Sequence, residues 1–352
     1  MTENRILISG NEAAGEAAIR AGCRFYFGYP ITPQNELCGY MAEHLPEIGG
    51  TFVQAESELA AISMCYGAAA AGKRVMTSSS SPGISLKMEG ISYCAGAELP
   101  VMIVNVMRGG PGLGNIEPSQ GDYFQATKGG GHGDYRLLVL APYSAQEFAD
   151  LVGLGFELAD FYRIPTMILT DGQIGQAMEP VTFREAPKRP LPPKDWALTG
   201  AAAGRPQRIV RSFYLPAGVL GEHCKKLQAK YDLIRRNEVR FEEHGVGAAD
   251  VVLVAYGTSA RQGLEAARIA AKSGLKLGLF RPITLWPFPE APLRAWAERG
   301  KRFLVVEMSA GQMVEDVRLA VEGRAPVAFV GRTGGGGPST TEIIAAAEAM
   351  LK

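Results

Sequence analysis

Glu58 opens an alanine-rich segment, Glu58-Leu59-Ala60-Ala61, and follows Gln54-Ala55-Glu56-Ser57. Almost no other polar group accompanies it there. Earlier in the chain, the apolar Phe27-Gly28 breaks into Tyr29-Pro30-Ile31-Thr32-Pro33, a loop carrying one hydroxyl between two prolines. Proline fixes φ and removes amide donors, so this loop is stiff and Thr32 is aimed. A single carboxylate in apolar surroundings gains large leverage from one charge-assisted hydrogen bond. Activation of thiamine diphosphate needs such a group. A glutamate bonded to the aminopyrimidine favours the imino tautomer, whose exocyclic nitrogen removes the proton from thiazolium C2. The residues alone also admit a plainer reading. Glu56 and Glu58 suit a helix N-terminus through the dipole, and Thr32 suits a turn that caps a helix.

Arg108 ends the apolar run Val101-Met102-Ile103-Val104-Asn105-Val106-Met107, and Gly109-Gly110-Pro111-Gly112-Leu113-Gly114 follows. A guanidinium at a strand's C-terminal end can take a substrate carboxylate through two hydrogen bonds, or it can form a structural ion pair. The glycines lack the spacing and the lysine of a phosphate-binding P-loop. Ser78-Ser79-Ser80-Ser81-Pro82-Gly83 follows another strand and can either donate to a ligand or cap the next helix. His132, within Gly129-Gly130-Gly131-His132-Gly133, is an isolated loop imidazole and a weak signal. The four glycines at 334–337 precede a helix, as an anion cradle or as an interdomain contact.

The elements that must position these groups alternate strand and helix. The pattern predicts strands at 5–9, 25–27, 51–54, 74–78, 100–107, 137–140 and 166–170. It predicts helices at 11–21, 58–71, 86–94 and 145–161. Unalternated apolar strands separated by helices indicate a parallel sheet covered on both faces. Prolines 187, 190, 192, 193 and 206 mark an irregular stretch. Residues 222–244 are charged and helical in period, a solvated face. A second α/β unit then begins, with strands at 250–255, 275–280, 302–307 and 326–330 and a helix at 260–273. The predicted division is 1–185, 186–245 and 246–352.

With 352 residues, 47% hydrophobic and 20% charged, the chain can build a sizeable core. Lys+Arg and Asp+Glu are both 36, which gives no basic footprint for nucleic acid. No apolar run is long enough for a bilayer and the first residues lack a signal pattern, so a cytoplasmic protein is expected, with no membrane partner. Cys23, Cys38, Cys65, Cys94 and Cys224 are scattered without a Cys-x-x-Cys pair. They are expected to be reduced thiols, and no metal site is expected on this chain.

Several strings in order resemble one family over nearly the whole chain. They are residues 27–33 and 54–61, Ser81-Pro82-Gly83-Ile84-Ser85-Leu86 with Glu89-Gly90, Ala97-Glu98-Leu99-Pro100, and residues 108–115, 129–135 and 331–338. Together they look like the α subunit of 2-oxoacid:ferredoxin oxidoreductases, nearest the 2-oxoisovalerate branch. The resemblance implies a pyrimidine-type thiamine diphosphate domain, a doubly wound parallel sheet, followed by a transketolase C-terminal-like α/β domain. It implies that Glu58 activates the pyrimidine, Thr32 meets the 2-oxoacid and Arg108 lies near its carboxylate. Tyr29, Pro30, Ile31, Ser81 and Gly83 would complete the coenzyme site. The run Ser78–Ser81 departs from the Ser-Gly-Pro-Gly usual among relatives. The diphosphate, Mg²⁺ and a [4Fe–4S] cluster would lie on a separate β subunit. Gamma and ferredoxin-like delta subunits and ferredoxin would take the electrons, and coenzyme A the acyl group. A 2-oxoglutarate-specific subunit and a non-oxidative thiamine enzyme are the alternatives.

Overall fold

The computed structural model describes residues 5–184, 189–202 and 204–352. The predicted boundary at 185–186 and Pro187 therefore lie outside the described residues.

The first half runs β1 (Ile6–Ser9), α1 (Gly10–Arg20), β2 (Phe25–Gly28), α2 (Asn35–Glu47), β3 (Thr51–Gln54), α3 (Glu58–Ala70), β4 (Val75–Ser79) and α4 (Ser81–Gly96). It continues through β5 (Met102–Met107), α5 (Tyr123–Lys128), β6 (Leu138–Leu140), α6 (Ala145–Tyr162), β7 (Thr166–Asp171), α7 (Gly172–Gln176) and β8 (Met178–Val181). A long helix, α8 (Val219–Asn237), leads to β9 (Phe241–His244), β10 (Val251–Val254), α9 (Gly257–Ala270), β11 (Leu277–Pro282) and β12 (Thr284–Trp286). The chain ends with α10 (Glu290–Glu298), β13 (Arg302–Glu307), α11 (Met313–Val321), β14 (Val327–Gly331) and α12 (Thr340–Ala349).

The larger sheet has seven strands in the order β12-β6-β7-β5-β4-β2-β3, all parallel except the edge strand β12. Strands β4, β5 and β7 are buried along their whole length, so their apolar residues do not alternate with exposed polar ones. The second sheet, β14-β13-β10-β11-β9, is parallel except for β9. Strand order reverses between the neighbours β2 and β4, whose following connections, to β3 and to β5, run in opposite directions along the sheet. A ligand crevice forms at such a place.

The structure departs from the sequence reading at identifiable points. Strand β1 pairs antiparallel with β8 in a separate two-stranded sheet, with Ile6 opposite Val181, and does not enter the large sheet. Its outer residues are exposed, so apolarity alone did not reveal its place. Helix α4 begins at Ser81, five residues before the apolar period becomes visible, because Pro82 suits the first turn of a helix. The charged segment is helical only as far as Asn237, and residues 241–244 form an edge strand. Strand β12 comes from the C-terminal half yet hydrogen-bonds to β6, which ties the two halves into one body.

Candidate active site

Four neighbouring strands of the large sheet end on the same edge, and each hands the chain to one functional segment. Strand β3 leads to Glu58, β2 to the Tyr29–Pro33 loop, β4 to Ser80 and Ser81, and β5 to Arg108.

Ser57 is the N-cap of α3 and accepts the Ala60 amide at 3.2 Å. That cap fixes Glu58 in the first helical turn, facing inward, with only 6% of its surface exposed. Glu56 points to solvent and is held by the Ser57 hydroxyl at 2.7 Å. The two glutamates thus separate into a surface residue beside the cap and a buried acid. Opposite Glu58 lies the first turn of α4. A Cβ on Gly83 would stand 2.6 Å from Glu58 Oε1 and 2.1 Å from Ser79 Oγ, so only glycine lets the helix approach this closely. The hydroxyls of Ser79 and Ser80 are buried beside it without a hydrogen-bond partner. Buried polar atoms are seldom left unmade, so these two are free for a ligand.

Arg108 and Thr32 meet through the backbone. Arg108 Nη1 donates to the Thr32 carbonyl at 3.0 Å, and Nη2 donates to the Leu113 carbonyl at 2.9 Å. Its Nε is buried and unpartnered. Among the described residues, the Thr32 hydroxyl accepts from Asn35 Nδ2, at 3.2 Å. Ser81 joins this group to α4: its Oγ accepts the Arg108 amide at 3.0 Å and donates to Asp122 Oδ2 at 2.7 Å. Asn105 donates to the same oxygen at 2.9 Å. Burial raises the Asp122 carboxyl above the usual range, and these two donors pull against that rise. Tyr29 and Pro30 sit exposed on the rim and Ile31 is half-buried. Glu58, Gly83, Ser81, Arg108 and Thr32 are therefore one contiguous group.

Beneath this group lie residues whose roles local sequence did not reveal. Tyr26 and Ser78 share a 2.6 Å hydrogen bond, and Ser78 donates to Gln34 Oε1 at 2.5 Å. Gln34 Nε2 reaches the Tyr29 carbonyl at 3.3 Å, so this chain ties the prolyl loop to β4. Ser78 was marked by sequence as the first of the serine run, though not as a tie to the prolyl loop; Gln34 gave no signal. Lys87, one turn after Gly83, is fully buried, and burial lowers its ammonium to about 8. The four thiols Cys23, Cys38, Cys65 and Cys94 are buried and unpaired, and burial pushes Cys23 and Cys65 up to about 12.

The glycine-rich segment near the C-terminus contacts the loop that follows Arg108. Gly334 O accepts from Asn115 Nδ2 at 2.7 Å, and the Gly336 amide donates to the Pro118 carbonyl at 3.0 Å. The loop after Arg108 is further anchored by Gln120, whose amide side chain donates to the Tyr256 carbonyl and accepts from the Ser259 hydroxyl. The C-terminal half thus braces the arginine loop. His132 is exposed and forms no hydrogen bond or ion pair among the described residues. A cavity of about 740 Å³ lies at the opposite edge of the sheet, between α1 and α6. Its Arg74 is committed to Glu157 and Asp160, and its Arg240 to Glu238, so it competes poorly with the strand-end site as a centre of chemistry.

Comparison with known proteins identifies the family. Residues 16–238 match the family model "Pyruvate flavodoxin/ferredoxin oxidoreductase, thiamine diP-bdg", and residues 249–343 match "Pyruvate:ferredoxin oxidoreductase core domain II". The ketoisovalerate oxidoreductase subunit VorB of Methanothermobacter thermautotrophicus is 53% identical over 94% of this chain and 93% of its own. The 2-oxoglutarate synthase subunit KorA of Archaeoglobus fulgidus is 40% identical over 88% of this chain and 90% of its own. The solved 2-oxoglutarate:ferredoxin oxidoreductase from Magnetococcus marinus superposes with a TM-score of 0.85 at 28% identity, covering 99% of this chain and 66% of that one. A split-gene transketolase, at 15% identity and a TM-score of 0.58, shares the fold. Two family models spanning both halves and full-length relatives above half identity leave one conclusion: the chain belongs to the 2-oxoacid:ferredoxin oxidoreductase subunit family.

Proposed function

We propose that this chain is the pyrimidine-activating subunit of a thiamine diphosphate-dependent 2-oxoacid:ferredoxin oxidoreductase, acting on a 2-oxoisovalerate-type substrate. The complex oxidatively decarboxylates the oxoacid, passes the acyl group to coenzyme A and reduces ferredoxin. The observation that carries this is Glu58, a buried acid at a helix N-terminus, pressed against Gly83 beside two unpartnered hydroxyls. This arrangement fits an aminopyrimidine ring, which offers one nitrogen to the acid and edges to the hydroxyls. Thiamine diphosphate, when bound, supplies the carbanion chemistry that decarboxylation requires.

The chain's own residues do the rest. Glu58 holds or shares a proton at the pyrimidine nitrogen, in a setting where burial strengthens that bond. Thr32 presents its hydroxyl toward the oxoacid from the stiff prolyl loop. Arg108 keeps both loops in register through its two carbonyl contacts and retains N–H groups for a substrate carboxylate. Tyr29, Pro30, Ile31, Ser81 and Gly83 shape the coenzyme pocket.

The diphosphate, Mg²⁺ and a [4Fe–4S] cluster belong on a β subunit, with gamma and ferredoxin-like delta subunits completing the complex. Exposed apolar residues support a partner over this face: Leu59 and Leu86 border Glu58 and Lys87 in sequence, and Leu113 and Ile116 lie in the arginine loop. The proposed modules are 1–185, 186–245 and 246–352, with β12 reaching back from the third to the first. A cytoplasmic location is part of this reading; no helix among the described residues is long and apolar enough to cross a membrane.

The 2-oxoisovalerate type is preferred over 2-oxoglutarate because the VorB relatives are 53% and 52% identical, against 40% or less for the KorA relatives. The test is turnover of the co-purified complex on branched-chain oxoacids, 2-oxoglutarate and pyruvate, with ferredoxin or a viologen dye as acceptor. Branched-chain substrates should give the highest kcat/KM. Glu58→Ala should abolish turnover while the complex still assembles, and near-normal activity in that variant would overturn the assignment.

A further inference from the structure

Lys87 has no evident structural role. It is fully buried on α4, and its Nζ has no hydrogen-bond partner among the described residues. Arg281 is equally buried, but Glu147 and Glu242 hold it. A buried ammonium without a partner is costly, and lysine is almost never fully buried unless it is paired.

Its surroundings point to a use. Gly83 and Lys87 are four residues apart and share one helix face. Gly83 abuts Glu58. Further along the same face, a Cβ on Gly90 would lie 2.4 Å from Ile62, one turn after Glu58 on α3. Lys87 therefore faces α3 between those two contacts. The groups whose charge acts on it are Cys65 and Glu58 from α3 and Cys38 from α2, and Tyr26 on β2 acts on Cys38. Burial raises both thiols, Cys65 to about 12, so they stay neutral near pH 7. Among these groups, Glu58 is the one carboxyl.

We infer that Lys87 is a positioning residue for Glu58: its enclosed ammonium acts on the carboxylate from within the protein and sets how readily Glu58 shares a proton with the coenzyme's pyrimidine. The inference rests on the reading of Glu58 given above. A cation near a carboxylate favours its ionised form. Removing that cation would change the balance by which one proton is shared between the carboxylate and the ring. The cost of keeping a charge inside the core is then maintained for a function at the neighbouring acid.

The test uses the assembled complex and thiamine diphosphate. Coenzyme affinity is measured by calorimetry from pH 6 to 9 for wild type, Lys87→Met, Lys87→Gln, Lys87→Arg, Glu58→Gln and the double variant Lys87→Met/Glu58→Gln. The pH midpoint at which affinity falls should rise by about one unit in Lys87→Met and Lys87→Gln. It should stay at the wild-type value in Lys87→Arg, which keeps the charge. In the Glu58→Gln background, Lys87→Met should move nothing, because the two residues act as one unit. An unchanged midpoint in both neutral variants overturns the inference, as does a shift that persists without the glutamate. A separate arm follows exchange of the coenzyme's C2 proton. If Glu58→Gln exchanges at the wild-type rate, the reading of Glu58 itself fails, whatever Lys87 does.

Discussion

Replacing Lys87 by methionine should stabilise the chain while harming the site. Methionine has a similar unbranched stem and needs no partner, so it can occupy the same space. Burial lowers the ammonium from 10.5 to about 8, with Cys65, Glu58 and Cys38 opposing the fall. At about 1.36 kcal/mol per pH unit, that fall is an instability of about 3 kcal/mol. The sign follows from proton counts. Between pH 8 and 10.5 the unfolded chain holds a proton on Lys87 that the folded chain has released, so stability rises with pH across that window. The penalty is full below about 8 and gone above 10.5. With unfolding entropy near 2.1 cal/mol/K per residue, about 3 kcal/mol corresponds to about 4 °C for a chain of this length. Scanning calorimetry of wild type and Lys87→Met from pH 7 to 10.5 should show the variant melting about 4 °C higher at pH 7. The gap should close as pH rises through the window. A gap that stays constant with pH, or a variant that melts lower throughout, would show that no strained buried charge is present.

Arg108→Ala should raise the KM for the oxoacid about tenfold or more, because a charge-assisted carboxylate contact contributes roughly 1.5–3 kcal/mol. An unchanged KM removes Arg108 from the substrate site. Gly83→Ala places a Cβ 2.6 Å from Glu58 Oε1, so coenzyme affinity measured by calorimetry should fall at least about fivefold, by roughly 1–3 kcal/mol. Glu98 on the face opposite α8 is desolvated, yet Lys230 and Lys226 pull its carboxyl down to about 2. The stability it adds is present above its ordinary 4.5 and lost as pH falls toward 2, so Glu98→Gln should flatten the acid limb of a melting-temperature profile between those values.

The order of strands and helices was legible where both faces of a strand are covered, because unalternated apolar cores such as 102–104 and 167–169 admit few other structures. Helix α2 escaped notice: its N-terminal residue Gln34 makes no side-chain cap, and a proline lies inside the helix at Pro46. Strands β1 and β12 were misplaced or missed because pairing partners are remote in sequence, and a three-residue strand carries no periodicity of its own. Glu58, Thr32 and Arg108 could be picked out as candidates from motif and strand-end position. Gln34 and Lys87 could not, since nothing local marks an amide or an ammonium that folds inward.

Residue type and chain order by themselves determined the parallel α/β architecture, the acid at the start of α3, the stiff prolyl loop and the guanidinium after β5. Backbone conformation and burial periodicity are local properties, and local sequence encodes them. Tertiary structure alone decided that Glu56 faces solvent while Glu58 is enclosed, that Arg108 spends two N–H groups on the Thr32 and Leu113 carbonyls, and that the Gly334–Gly337 turn braces the arginine loop. It also placed an unpaired lysine one helical turn from the glycine that touches the acid. These outcomes depend on which surfaces meet across long stretches of chain, and close approach, desolvation and charge interaction exist only once they have met.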